Sequence, residues 1–220
     1  MGAHHLLSKT LDGRSEQVQL ARAESATGKL VDQLDQLVEA LRLFDPPSGA
    51  PREVVELAPL FALFEAEFAE AARLKGVRLR ILATRALVLG NPVLLRSILR
   101  NLIRNAIDYT PAGGSVVVAA RRRGGAVHLE VRDNGVGIPA RDLADIFKPF
   151  HRADDTRTDG LGLGLFIVKC AAAFLAYPLE VQSALGKGSR FTVVSQDARQ
   201  IGQSLGRARP PALSSEIGLL

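Results

Sequence analysis

The chain has a single cysteine, Cys170. That excludes an internal disulfide and suits a reducing compartment. No apolar run is long enough to cross a bilayer, and no stretch reads as a secretory leader. These absences fit a cytoplasmic chain and leave a membrane-attached parent open. No segment repeats. The densest basic cluster, Arg121-Arg122-Arg123, has no aromatic residue interleaved with it, so nothing there would stack on bases. Followed by Gly124-Gly125, it reads as the solvated tip of a hairpin, and nucleic acid is not an expected partner. The formal charge of +5 is modest. His128 and His151 are isolated and lack partners at ligand spacing.

What is present is enough apolar material for a core. At 47% hydrophobic residues over 220, the chain should form one full domain plus an appendage. From 15 to 44 the pattern is helical, starting at Ser15-Glu16. Leu30, Leu34, Leu37, Leu41 and Phe44 recur at alternating steps of four and three. That is a coiled-coil or bundle seam, which needs a partner helix. Asp45-Pro46-Pro47-Ser48-Gly49 breaks it. A second domain then reads as a strand at 54–57 and an amphipathic helix at 59–74 with Leu60, Leu63, Phe64 and Phe68 on one face, ended by Gly76. Strands follow at 77–82 and 86–89, then a helix at 92–108 with Pro92 in its first turn. A hairpin of 115–122 and 126–133 comes next, then a helix at 164–175 and strands at 179–182 and 190–195. From 196 onward Gly, Ser, Pro and Arg prevail, which reads as a disordered tail or linker.

The chemistry concentrates between 133 and 165. Asp133-Asn134-Gly135-Val136-Gly137-Ile138-Pro139 opens this stretch and Gly160-Leu161-Gly162-Leu163-Gly164-Leu165 closes it, just ahead of an apolar helix. Two glycine-rich turns around a polar segment are what a nucleotide pocket with a lid needs. Glycine lets backbone approach a ligand, and the first N–H groups of a helix are free for phosphate. In the strand before the first turn, Val127, Leu129 and Val131 face one way, and Asp133 continues that phase toward the core. A carboxylate there is costly unless something donates to it. It either caps its own Asn-Gly turn or accepts from an adenine amino group. On the helix at 92–108, Asn101, Asn105 and Asp108 share a stripe. Asparagine is a poor mid-helix residue. The stripe is either a solvated face or a pair of amides turned toward a ligand or hydrated Mg²⁺, which takes few protein oxygens. Tyr109 is either a core aromatic or a ring for a base.

These segments resemble, in order, the four boxes of sensor histidine kinases. Asn101-Leu102-Ile103-Arg104-Asn105-Ala106-Ile107-Asp108-Tyr109-Thr110-Pro111 is similar to the N box and 133–139 to the G1 box. Phe147-Lys148-Pro149-Phe150 is similar to the F box, and 160–165 to the G2 box. Gly186-Lys187-Gly188-Ser189-Arg190-Phe191 is similar to the last hairpin, in a style closest to hybrid kinases. The resemblance implies a two-layer α/β sandwich, a mixed sheet covered on one face by helices, preceded by a long coiled-coil-like helix. It implies a partial dimerisation helix region at 1–45, a linker at 46–52, an ATP-binding catalytic domain at 53–195 and a tail at 196–220.

It further implies ATP and Mg²⁺ as ligands. Asp133 would bind the adenine amino group, with Gly135, Gly137 and Ile138 shaping the base pocket and Tyr109 packing near the base. Asn105 would hold the metal, with Asn101 beside it at the phosphates. Gly160, Leu161, Gly162, Leu163, Gly164 and Leu165 would line the phosphate side, with Lys148 and Ser189 as further contacts. A segment of about 151–160 would form the lid. The implied partners are a response regulator receiver domain and a second copy of the chain through 15–44.

Two features depart from the family pattern. Many members carry Lys or Arg where this chain has Asp108, and an acid repels phosphate. Arg104, Lys148, Arg152 or Arg157 would then have to supply the positive charge. The family's phosphoacceptor histidine is followed by an acid or amide, whereas His4-His5-Leu6-Leu7 has neither. The acceptor is therefore expected upstream of Met1. The two functional readings are a catalytic domain that transfers the γ-phosphate of ATP to a histidine, and a non-phosphorylating ATP-binding or ATPase module of the same superfamily.

Overall fold

In a computed structural model of the chain, residues 52–151 and 161–200 are described, with Val18, Leu34, Leu37 and Val38 ahead of them. Those four are helical and exposed. Leu34 and Leu37 belong to the seam inferred at 15–44; the rest of that helix lies outside the described residues, as do 46–51 of the linker, 152–160 of the lid, and 201–220.

The described chain runs β1 (Glu53–Glu56), α1 (Leu57–Lys75), β2 (Arg78–Ile81), β3 (Leu87–Gly90), α2 (Pro92–Tyr109), β4 (Ser115–Arg123), β5 (Ala126–Asp133), α3 (Gly164–Leu175), β6 (Leu179–Ala184) and β7 (Gly188–Gln196). Five strands form a mixed sheet in the order β2-β4-β5-β7-β6, with β2 parallel to β4 and the other neighbours antiparallel. β1 and β3 make a separate antiparallel ribbon. Period-two alternation puts Val116, Val118, Val127, Leu129, Val131, Phe191 and Val193 on one face, all buried. The helices cover that face, so the architecture is the α/β sandwich with a mixed sheet that the sequence implies.

α2 is the central helix of the core. Asn91 starts it by accepting from the N–H groups of Val93 (3.0 Å) and Leu94 (3.1 Å), two of the donors a helix start leaves unpaired. Leu95, Ile98, Leu99, Leu102 and Ile103 are buried along it. At its far end Lys75 of α1 donates to the carbonyl of Ile107 (2.8 Å) and to that of Asp108, a cation at the negative end of the helix. Arg100 Nε meets Glu67 Oε1 at 2.6 Å, a second tie between α1 and α2.

Two expectations need correction. The buried stripe of α1 is Leu57, Phe61, Phe64, Phe68 and Ala72, while Leu60 is half-buried and Leu63 exposed. The helix starts at Leu57, two residues before the Pro59 expected to open it, and Leu57 and Phe61, about one turn apart, both face inward. The ordered chain also does not stop at 195. β7 runs to Gln196, and Asp197 bridges Val88 of β3. Asp197 Oδ2 accepts from Arg122 Nε at 2.9 Å, and its Oδ1 accepts from the Arg199 N–H at 3.1 Å. One buried carboxylate anchors a stretch whose composition reads as tail. The arginines at the hairpin tip are correspondingly paired, Arg122 with Asp197, and Arg121 and Arg123 each 3.5 Å from Glu130.

Candidate nucleotide site

β5 delivers Asp133 to the helix-covered face at 7% exposure, in the phase its sequence sets. Asp133 Oδ1 accepts the N–H of Gly135 (2.8 Å) and that of Ser189 (3.1 Å). Burial nevertheless pushes its pKa above the usual carboxylate value, the two N–H groups opposing that shift. The turn after it is built into the fold. Val136 N–H donates to the carbonyl of Tyr109 (3.1 Å), and a Cβ on Gly135 would collide with that same carbonyl. Gly137, at φ +70°, lies against the Ala184 carbonyl, and Gly186 N–H donates to Val136 O at 2.7 Å. These glycines let backbone approach backbone: they pin the turn between the end of α2 and the β6–β7 hairpin.

Ser189 stands on β7 directly beside Asp133, and Ser183 stands opposite Ser189 on β6. The three form a polar row at one end of a largely apolar face. The Ser183 and Ser189 hydroxyls are 2.9 Å apart. Ser183 Oγ also accepts from Ile138 N–H (2.8 Å) and donates to Gly188 O (3.0 Å). Reading from motifs missed Ser183. Its signal is a hydroxyl in the inward phase of Leu179 and Val181.

On α2, Asn101 is buried and its Nδ2 donates to Ser97 O at 3.0 Å. Asn105, one turn on, is half-buried. Both meet the start of α3: an ideal Cβ on Gly164 would lie 3.2 Å from Asn101 Oδ1 and 3.5 Å from both the Asn105 Oδ1 and Nδ2. Gly164 thus leaves a gap at the two amides. Leu163 is buried beside Ile167, with Leu161 packed on that pair and Leu165 on the main core. The leucines of this segment therefore pack against the core, and a helix start such as that of α3 leaves its first N–H groups without partners inside the helix.

Gly162, at φ +69°, sits where a Cβ would come 2.8 Å from His151 O, so the segment before α3 returns to the place where 147–151 leaves off. Tyr109 is half-buried at the end of α2, and Asp108 beside it is exposed. Lys148 is exposed enough to be reached from solvent, and its ammonium lies 2.6 Å from Asp145 Oδ1. Gly160, Arg152 and Arg157 lie outside the described residues. Among the described residues no group of three His, Cys, Asp or Glu side chains could hold a metal ion, and no helix is long and apolar enough to cross a membrane.

The profile of the family described as histidine kinase-, DNA gyrase B-, and HSP90-like ATPase matches residues 90–199. The sensor-like histidine kinase SenX3 of Mycobacterium tuberculosis is 44% identical over 109 residues, 48% of this chain and 27% of that protein. Sensor histidine kinase AtsR of Burkholderia thailandensis is 30% identical over 183 residues, 79% of this chain and 30% of that protein. The chain thus spans under a third of these relatives' length. Of solved structures, full-length ShkA in complex with AMPPNP is similar at TM-score 0.68 and 27% identity, over 83% of this chain and 40% of that one. The Acinetobacter baumannii histidine kinase AdeS shares the fold at TM-score 0.65 and 20% identity, over 88% of this chain and 94% of that one. With its four boxes on this fold, the chain belongs to the histidine kinase-, DNA gyrase B- and HSP90-like ATPase family, as an ATP-binding catalytic domain of the sensor histidine kinase kind.

Proposed function

We propose that this domain binds ATP with Mg²⁺ and presents the γ-phosphate to a histidine on a dimerisation hairpin, from which it passes to an aspartate of a response regulator receiver domain. The observation that carries the reading is Asp133, a buried carboxylate on an apolar sheet face whose Oδ1 is held by two backbone N–H groups. A buried acid that pushes against its own ionisation is costly to the fold and of use to a ligand. The second carboxylate oxygen takes the adenine amino group, Tyr109 borders the base, and the polyphosphate runs toward Asn101, Asn105 and the first N–H groups of α3.

The donor set fits Mg²⁺. That ion keeps most of its waters and takes one or two protein oxygens beside substrate phosphates. Asn105 supplies the amide oxygen in the gap that Gly164 leaves, and Asn101 lies beside it. The bound ion would neutralise phosphate charge, which matters more here because Asp108 stands where a cation would otherwise help. The protein's own part is positioning: the turn at 135–137 fixes the base, and α3 fixes the phosphates, which is where phosphoryl transfer gets most of its rate.

Asn105→Ala is accordingly expected to weaken ATP mainly when Mg²⁺ is present. Titration calorimetry with Mg²⁺ and with a chelator separates the cases, and equal losses in both would make Asn105 a structural residue. For the reaction itself, the chain is incubated with labelled ATP, alone and with a dimerisation hairpin supplied in trans. Acid-labile label on the hairpin histidine is the expected result. Tight ATP binding with no label on any matched hairpin would favour the non-phosphorylating module, the reading to which Asp108 lends weight.

A further inference from the structure

We propose that Ser183 is a positioning residue: it fixes the hydroxyl of Ser189 as a hydrogen-bond acceptor and thereby sets selection of adenine over guanine. The proposal rests on the reading that this pocket takes the base of ATP.

A serine hydroxyl has one proton to give and two lone pairs to receive with. Three groups surround Ser183 Oγ. Ile138 N–H, at 2.8 Å, can only donate. The Gly188 carbonyl, at 3.0 Å, can only accept, so it takes the single Ser183 proton. The third neighbour, Ser189 Oγ at 2.9 Å, could be donor or acceptor on its own account. With the Ser183 proton committed to Gly188, Ser189 must donate to Ser183. If Ser183 gave its proton to Ser189 instead, its lone pairs would face the Gly188 carbonyl at hydrogen-bond distance with nothing between them. Ser189 is then left with lone pairs alone for a ligand.

The row at the base end of the sheet consequently presents only acceptors: the Asp133 carboxylate and the Ser189 hydroxyl. The 6-amino group of adenine is a donor, whereas guanine carries a carbonyl acceptor at that position. A site whose polar groups are left unpaired by the wrong ligand rejects it strongly. Ser183 touches no part of the base in this arrangement. It acts through Ser189, and it also holds Ile138 at the close of the 135–137 turn.

The test measures dissociation constants of ATP, GTP and inosine triphosphate, which carries a carbonyl at position 6, for the whole chain and its variants. The wild-type chain should prefer ATP to inosine triphosphate by tenfold or more. Ser183→Ala releases the Ser189 proton to turn toward the base, so the preference for ATP over GTP and over inosine triphosphate should fall about tenfold. Ser183→Thr keeps the hydroxyl and should keep the preference. Adding Ser189→Ala to Ser183→Ala should remove the gain for the 6-carbonyl bases, because the released proton is gone. Equal losses of all three nucleotides in Ser183→Ala would make Ser183 a merely structural residue and overturn the proposal. So would a wild-type chain that binds inosine triphosphate as tightly as ATP, a result that needs no variant to fold. A wild-type chain that binds ATP while failing these ratios leaves the pocket reading standing and removes this one. One that binds none of the three nucleotides removes both.

Discussion

Replacing Asp133 by Asn should weaken ATP binding tenfold to a hundredfold at neutral pH while the fold stays intact. Asn keeps an Oδ1 for the N–H groups of Gly135 and Ser189. In place of the second oxygen it turns an amide donor toward the adenine amino donor, leaving both unsatisfied. That costs about 1–3 kcal/mol, or about tenfold to a hundredfold in Kd. The stability of the empty domain should move the other way. The folded-state pKa of Asp133 is raised by burial above its ordinary value of 3.8. A raised acid contributes stability that is fully present below the unfolded value and is lost as pH rises through the folded one. At pH 7 the ionised side chain is therefore a burden on the ligand-free fold, and Asn lifts it. Nucleotide-free Asp133→Asn should melt no lower than wild type at pH 7, with any advantage disappearing below the unfolded carboxylate pKa. Unchanged ATP affinity in a folded variant would sink the assignment of Asp133 to the base.

Gly137→Ala is expected to be the more damaging change to the fold. At φ +70° an alanine costs about 1–2 kcal/mol on backbone grounds alone. Its Cβ would overlap the Ala184 carbonyl and come 2.7 Å from the carbonyl carbon, and main chain cannot swing aside as a side chain can. The turn must retreat, which loosens the Gly186 N–H to Val136 O bond and the Ile138 N–H to Ser183 Oγ bond. At about 1 kcal/mol for each bond, the total reaches about 3 kcal/mol or more, and Tm should fall by about 6–12 °C. Gly186→Ala is the control: φ is +73° there too, but nothing lies within 4 Å of the added Cβ. Calorimetry giving the two variants the same loss would mean that the backbone angle, and not the approach to β6, sets the cost.

Local pattern made much of this domain legible. Period-two alternation placed Asp133 inward, Pro92 and the wide apolar face located α2, and Gly124-Gly125 fixed the hairpin of β4 and β5. The Asn101–Asn105 spacing brought both amides to one place, opposite Gly164. What stayed hidden depends on partners distant in sequence. Ser183 reads as an ordinary strand hydroxyl until Ile138, 45 residues away, is seen to donate to it. The apolar side of α1 is wide, and that Phe61 and Ala72 turn inward while Leu63 stays exposed is decided by what packs against the helix. Asp197 is one carboxylate in a polar stretch, and only the arrival of Arg122 and Val88 makes it an anchor. Gly135 and Gly137 were legible as special positions, but the sequence could not say that what approaches them is main chain of Tyr109 and Ala184.

The anchoring at Asp197 bears on how the domain would move. Val88 is flanked by Val55 of β1 on one side and Asp197 on the other. The strand by which the described domain begins and the one by which it ends thus lie on either side of β3, about 10 Å apart at two strand spacings. Ser189 lies at the opposite end of β7, roughly 26 Å from the edge at Asp197 at the rise of an extended strand. A body held at that edge would carry the polar row near its free side, as a door carries its handle. A swing of about 20° there would carry the Asp133–Ser189 row through about 9 Å on that arm. A modest turn at that edge would thereby become a displacement larger than a phosphate group, with no change inside the sheet.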